Sequence, residues 1–310
     1  MRIVQTAVLL IIAIIIVPIF TYYFGTPLGW HEQQALQTLL IIAGISAALC
    51  FILGEVTGNN SQVDKLWSVL PPIYVWVVAA HGDFSPRLVL MAVLVALWGA
   101  RLTYNFSRHG AYKWKFWTGK EDHRWEVLRK KPEFQPRWKW SLFNLFFISA
   151  YQNALILLFT LPSLVVLQFN PDEIGLIDAL LAIVFLGFLV FETVADNQHW
   201  AFQSAKWGKI NRGEKLTGDY AKGFLDKGLW SLSRHPNYFA EQAIWVTFYF
   251  FSVVATGEWF NWSIAGALLL IILFQGSAQF GEEISAGKYP QYSDYQKRVN
   301  RFLPFPGKKS

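Results

Sequence analysis

Apolar residues along this chain gather in long runs, not in the alternating or 3.6-residue stripes of a soluble fold. Eight runs read as membrane-spanning helices, at about residues 3–24, 36–54, 66–82, 87–106, 141–168, 176–203, 238–256 and 262–280. Only helices and closed barrels satisfy their backbone in lipid. The pattern therefore predicts an all-α polytopic membrane helix bundle of about eight transmembrane helices, within a range of seven to ten. The run from Met1-Arg2 to Phe20 is long enough to span and no small-residue cleavage site follows it, so it reads as the first helix and not as a signal peptide.

Composition agrees, with 54% hydrophobic, 17% aromatic and 15% charged residues. Residues 1–310 are expected to form a single membrane domain, with 1–54 as less specific N-terminal helices and the candidate chemistry in 55–310. The single cysteine, Cys50, excludes an internal disulfide framework. All but two of the 27 lysines and arginines lie at Arg2, at Lys65, or in 107–140, 206–234 and 281–310; the exceptions are Arg87 and Arg101. With eight spans these segments share one side, and the positive-inside rule puts that side and both termini in the cytoplasm. The 107–140 loop interleaves basic residues with tryptophans, which suits an interfacial segment with rings at headgroup level and cations at anionic lipid, not a nucleic-acid site. The same loop could roof a cofactor site.

Four constellations carry candidate chemistry. At Ser233-Arg-His-Pro-Asn-Tyr238, Pro236 suits the first helical position, so a helix start with free N–H groups should sit beside Arg234 and His235 and favour an anion. Asn237 and Glu241 share one face of that helix. Asp64 and Trp67 open the third span, where Asp64 is either a helix-start residue or an acid facing the bundle interior. In Trp98-Gly-Ala-Arg-Leu-Thr-Tyr104, Arg101 either snorkels to the interface or turns inward towards a phosphate or Asp64. Glu192, Asp196, His199 and Gln203 form one polar stripe, better suited to hydrogen-bonding a cofactor headpiece than to ligating a metal. Glu282 and Glu283 sit where the last span ends, within reach of Arg234 and Lys227.

Asp64-x-x-Trp67, Arg101-Leu-x-Tyr104, Lys120-Glu-Asp-x-Arg124, Ala195-Asp-x-Gln198, Ser233-Arg-His-Pro-Asn-Tyr-x-x-Glu241 and the Tyr292-to-Pro304 ending resemble the bacterial, largely uncharacterised membrane relatives of the steroid 5α-reductases. The likeness covers the chain from about residue 55 onward. It implies an integral membrane enzyme of the bacterial inner membrane with NADPH held in the cytoplasmic half of the bundle. An apolar enone, steroid- or lipid-like, would enter from the bilayer and receive hydride at its activated C=C bond.

By the same resemblance Asp196, Asn237 and Glu241 match residues that hold the dinucleotide; Gln198, Arg234, His235 and Tyr238 belong to the same blocks, and Arg101 matches a cofactor-side arginine, while Glu282, after the final span, joins them as a cofactor-binding candidate. Lys206, Arg212 and Lys222 are phosphate candidates by charge alone. The sequence departs from the steroid enzymes on the substrate side. Their Gln-Glu pair is absent, leaving Asp64 as the nearest acid, Trp98 stands in the place of a tyrosine, and Tyr104 could supply the hydroxyl instead. The C-terminal block is also similar to the isoprenylcysteine carboxyl methyltransferases. On that alternative Arg234 and His235 face the carboxylate of S-adenosylmethionine, and Glu282 or Glu283 its ribose or amine. A transporter or scaffold without enzymatic activity is the third class.

Overall fold

The computed structural model describes residues 2–23, 25–169 and 174–305. Among them the regular structure is helical, apart from one isolated bridge between Ser233 and Asn300. The elements are α1 (Arg2–Tyr23), α2 (Trp30–Thr57), α3 (Gln62–Leu66), α4 (Leu70–His81), α5 (Pro86–Arg108), α6 (His123–Arg129), α7 (Arg137–Phe169), α8 (Leu176–Asn211), α9 (Pro236–Thr256), α10 (Ile264–Lys288) and α11 (Tyr292–Arg298). Six of these, α2, α5, α7, α8, α9 and α10, are long and apolar enough to cross a membrane, and α1 and α4 contribute shorter apolar helices. The protein is an all-α integral membrane helix bundle.

Local chemistry explains the helix ends. Proline opens α5 and α9, where its missing N–H has no intrahelical partner to lose. Gly58, with φ 69°, closes α2 by donating its N–H to the Gly54 carbonyl. The inner face of α2 is one stripe, Ala35, Leu39, Ala43, Ser46, Cys50 and Gly54, at spacings of three and four.

The expected span at 66–82 is corrected. Pro71 and Pro72 cannot extend the helix begun at Gln62, so the chain turns at Trp67–Val69 and restarts as the 12-residue α4. At about 1.5 Å per residue, α4 covers roughly 18 Å of an apolar layer about 30 Å thick. Gly99 allows α5 to close on this break, since a Cβ there would lie 2.6 Å from both the Pro72 ring and the Ser68 carbonyl oxygen. In the other direction, α8 and α10 continue beyond the expected ends at 203 and 280, to Asn211 and Lys288.

Two compact units make up the chain: Met1–Val184 with Trp245–Ile271, and Phe185–Ile244 with Ile272–Ser310. In the first, α7 is the central helix, the most enclosed of the spans. It changes to π-helical winding over Asn144–Tyr151 and carries buried Asn144, Ser149, Gln152 and Asn153. Trp67 donates its indole N–H to Gln152. The second unit has a small aromatic core of Phe224, Tyr292, Tyr295 and Val299, which docks α11.

Candidate functional site

In the second unit, α8 and the start of α9 bring Asp196 and Asn237 together: the Asn237 amide donates to the Asp196 carboxylate at 3.1 Å. Both acids, Asp196 and Glu241 one turn along α9, are buried. A membrane helix carries such groups only where they meet partners or a ligand. Of the residues that the 195–241 block singles out, Asp196 and Asn237 are thus in direct contact.

Arg234 lies beside this cluster but is engaged elsewhere. Its Nε and Nη2 donate to Glu282 at 2.8 and 3.2 Å, and its Nη1 to the carbonyls of Gln296 and Val299. Glu282 also meets the His235 ring at 3.1 Å and accepts from the Gln296 amide and the Arg301 guanidinium. The expected reach of Glu282 to Arg234 is therefore real. That of the glutamate pair to Lys227 is not: Lys227 pairs with Asp219, and Glu283 accepts from Gln279.

The backbone behaves likewise. The N–H groups of Arg234 and His235 donate to the carbonyls of Asn300 and Arg301, and Asn237 turns its own side-chain oxygen onto the Tyr238 N–H. Of the helix-start N–H groups expected to be free, that of Tyr238 is taken by the Asn237 side chain and that of Phe239 by the His235 carbonyl. Tyr238 stacks on His235 at 5.2 Å and meets the tilted Phe274 ring at 4.7 Å. Gln198 accepts the Leu229 N–H at 2.9 Å and packs against Gly228, whose φ of 62° leaves no room for a Cβ. Both residues hold the polypeptide in place.

The rest of the polar stripe is local. His199 stacks on Trp230 at 5.0 Å and meets the Gln203 amide at 3.4 Å. Among the described residues no group of three His, Cys, Asp or Glu could hold a metal ion. Of the phosphate candidates, Lys206 is buried on the Gly223 carbonyl, Arg212 pairs with Glu214, and Lys222 pairs with Asp226.

In the first unit the segment 59–68 carries the substrate-side candidate Asp64 and is held by the loop that follows α5. Asn60 N–H donates to Glu121, Asp122 N–H to Ser61, and the Trp125 indole to Asp64 at 3.0 Å. The two motifs Asn59-to-Trp67 and Lys120-Glu-Asp-x-Arg124 are thus the two halves of one joint. Trp98 is fully buried, edge-on to Trp245 at 4.9 Å. Arg101 is half-buried on α5. Tyr104 is 66% exposed, with the Arg108 guanidinium over its ring.

Burial raises the Asp64 carboxyl, helped by the Asp122 charge and opposed by Arg124. Burial would raise Asp122 too, but the charge and hydrogen bonds of Arg124 prevail and hold it at about 2. The two acids therefore link stability to pH with opposite signs. The contribution of Asp122 is complete above its ordinary value of 3.8 and is lost as pH falls through about 2. That of Asp64 is complete below 3.8 and is lost as pH rises through its raised value. Asp64→Asn, which copies the protonated acid, should melt at neutral pH no lower than the parent, whereas Asp122→Asn should lose about 1–2 kcal/mol. A loss at Asp64→Asn equal to that at Asp122→Asn would contradict this assignment.

The chain is 36% identical over 279 residues to an uncharacterised protein of Schizosaccharomyces pombe, covering 84% of this chain and 79% of the relative. No solved structure matches it. The model of the DUF1295 family, proteins of unknown function, matches residues 50–299, which include the α3 joint, the Asp196–Asn237 pair and the Glu282 hub, and the chain belongs to that family.

Proposed function

We propose that this protein is an NADPH-dependent membrane reductase acting on the activated C=C bond of an apolar enone, akin to the steroid 5α-reductases. The carrying observation is the Asp196–Asn237 hydrogen bond, with Glu241 buried one turn beyond it. The donor set fits the cofactor: two carboxylates and an amide suit ribose hydroxyls and a carboxamide. Exposed Arg212 and Lys227 are held in surface pairs with Glu214 and Asp219. Each such pair is worth about 0–1 kcal/mol, so a phosphate can replace the carboxylate.

When bound, the reduced nicotinamide would supply hydride to the β-carbon of the enone. The chain's own part is to fix geometry and charge. Asn237, tied to Asp196, presents an oriented amide, and Glu241 accepts from hydroxyl or amide donors. On the substrate side Asp64, with Tyr104 or Arg101, would orient the ketone oxygen. The cofactor side would face the cytoplasm.

The alternative of S-adenosylmethionine chemistry needs Arg234 to face the methionine carboxylate. Four of its five N–H groups are already engaged by Glu282 and the tail carbonyls, which favours the reductase.

Thermal stability of purified protein with NADPH, NADH or S-adenosylmethionine tests the choice, because a ligand that binds the folded state stabilises it. A rise with NADPH supports the reading and a rise with S-adenosylmethionine alone overturns it. Glu241→Gln, which keeps the shape and removes the charge, should weaken NADPH binding by about 1.5–3 kcal/mol, or roughly tenfold to a hundredfold. Parent-like NADPH affinity in this variant would remove Glu241 from the site.

A further inference from the structure

The segment that leaves α5 presents an exposed finger, Lys113-Trp-Lys-Phe-Trp-Thr118, in which every residue is exposed. Trp114 is 102% exposed and Phe116 63%. Yet the backbone is pinned. Lys65 Nζ donates to the carbonyls of Phe116 and Thr118 at 2.8 and 2.7 Å, and the Gln62 amide donates to that of Trp117 at 2.9 Å. Three consecutive carbonyls are thereby turned inward onto α3, and the side chains are left facing out.

Lys120 N–H closes the base on the Gly110 carbonyl at 3.0 Å. Gly119, at φ 120°, allows that closure: a Cβ there would lie 2.1 Å from the Ala111 carbonyl oxygen. A water-facing loop would cover such rings, whereas this one holds them out.

From Arg108 to Lys120 the sequence contains no acid. Lys113, Lys115 and Lys120 enter no ion pair among the described residues. The finger begins five residues beyond the end of α5, a membrane-crossing helix, and so at headgroup depth.

We infer that residues 113–117 form a binding site for anionic phospholipid, with Trp114 and Phe116 among the glycerol and upper acyl groups and Lys113 and Lys115 on the phosphates. Aromatic rings favour this layer, and each lysine near an anionic surface contributes about 1 kcal/mol. A soluble phosphate would match the lysines but leave the rings in water. The pinning by Lys65 and Gln62 gives the finger a fixed geometry at small entropic cost.

The test uses the full chain in detergent, titrated with phosphatidylglycerol, phosphatidylcholine or inorganic phosphate while melting temperature is followed. Phosphatidylglycerol should raise it most, and Lys113→Gln/Lys115→Gln should weaken that apparent affinity about thirtyfold, the equivalent of about 1 kcal/mol for each lysine. Lys297→Gln, an exposed lysine in α11, serves as the control and should change nothing. A measurement on the unaltered side chains guards against a folding defect: brominated phosphatidylglycerol should quench the emission that distinguishes the parent from Trp114→Phe. Equal shifts with phosphatidylcholine, an equal shift with inorganic phosphate, full affinity in the double variant, or no quenching at Trp114 would each overturn the inference.

Discussion

Arg234→Met is expected to lower the stability of the protein by about 3–5 kcal/mol, without any cofactor present, because it strands a buried carboxylate. Arg234 and Glu282 are both buried, and the guanidinium holds both carboxylate oxygens while its Nη1 holds two tail carbonyls. Removing the cation leaves Glu282 with His235, Gln296 and the distant edge of Arg301, at 3.4 Å, and releases the carbonyls of Gln296 and Val299. The tail should then loosen from Ser233 and His235, whose bonds to the Arg301 carbonyl lie beside the hub. Arg234→Lys should recover only part of the loss, since an ammonium cannot make the paired contact with a carboxylate and still reach two carbonyls. Melting curves of the apo protein decide the matter. A parent-like melt for Arg234→Met would return Arg234 to the pool of anion ligands and with it revive the methyltransferase reading.

A loss of similar size, about 3–5 kcal/mol, is expected for Asp178→Leu or Arg87→Met taken singly. Arg87 Nε and Nη2 meet the two Asp178 oxygens at 2.9 Å each, with side chains 4% and 0% exposed. Asp178 also accepts the Gly175 N–H at 2.8 Å, which ties the start of α8 to the pair. Arg87→Met leaves the Asp178 charge buried without this cation, and Asp178→Leu removes the carboxylate that holds the Arg87 Nε and Nη2. The double variant Arg87→Met/Asp178→Leu removes both, so the desolvation cost of the survivor disappears and stability should recover by about 1–4 kcal/mol. A double-mutant cycle read by thermal melting measures this coupling. If the losses of the two single variants simply added in the double, the pair would be two independent contacts.

The two expectations also separate the units. The Arg234 hub lies wholly within the second unit and the Arg87–Asp178 pair wholly within the first. If the units unfold separately, each substitution moves its own transition.

Sequence alone determined the class of the fold and most of its helices, because burial of apolar runs in lipid and the local rules for proline and glycine act over a few residues. Pro236 starts a helix where it was expected to, and the spans at 36–54, 87–106, 176–203 and 238–256 lie within the observed elements. The same local rules reach the Pro71-Pro72 break, whose consequence for the 66–82 run is legible once both prolines are given their weight. Likeness to other sequences singled out Asp196 and Asn237 separately, but their pairing, across 41 residues, was not legible in the sequence.

Partnership across such distances is what the tertiary structure decided. Arg234 reads as an anion ligand from its place before a helix, and it becomes a structural tie only because the tail brings Gln296 and Val299 to it from 62 and 65 residues away. Asp64 reads as a lone acid until Trp125, 61 residues on, is seen donating to it. Tyr104 shares a helix with buried Trp98 yet faces outward, and nothing local distinguishes the two rings. Hydrophobic period fixes which faces turn inward. Which polar group completes another is settled by packing, because a buried donor takes whichever acceptor the fold delivers within about 3 Å.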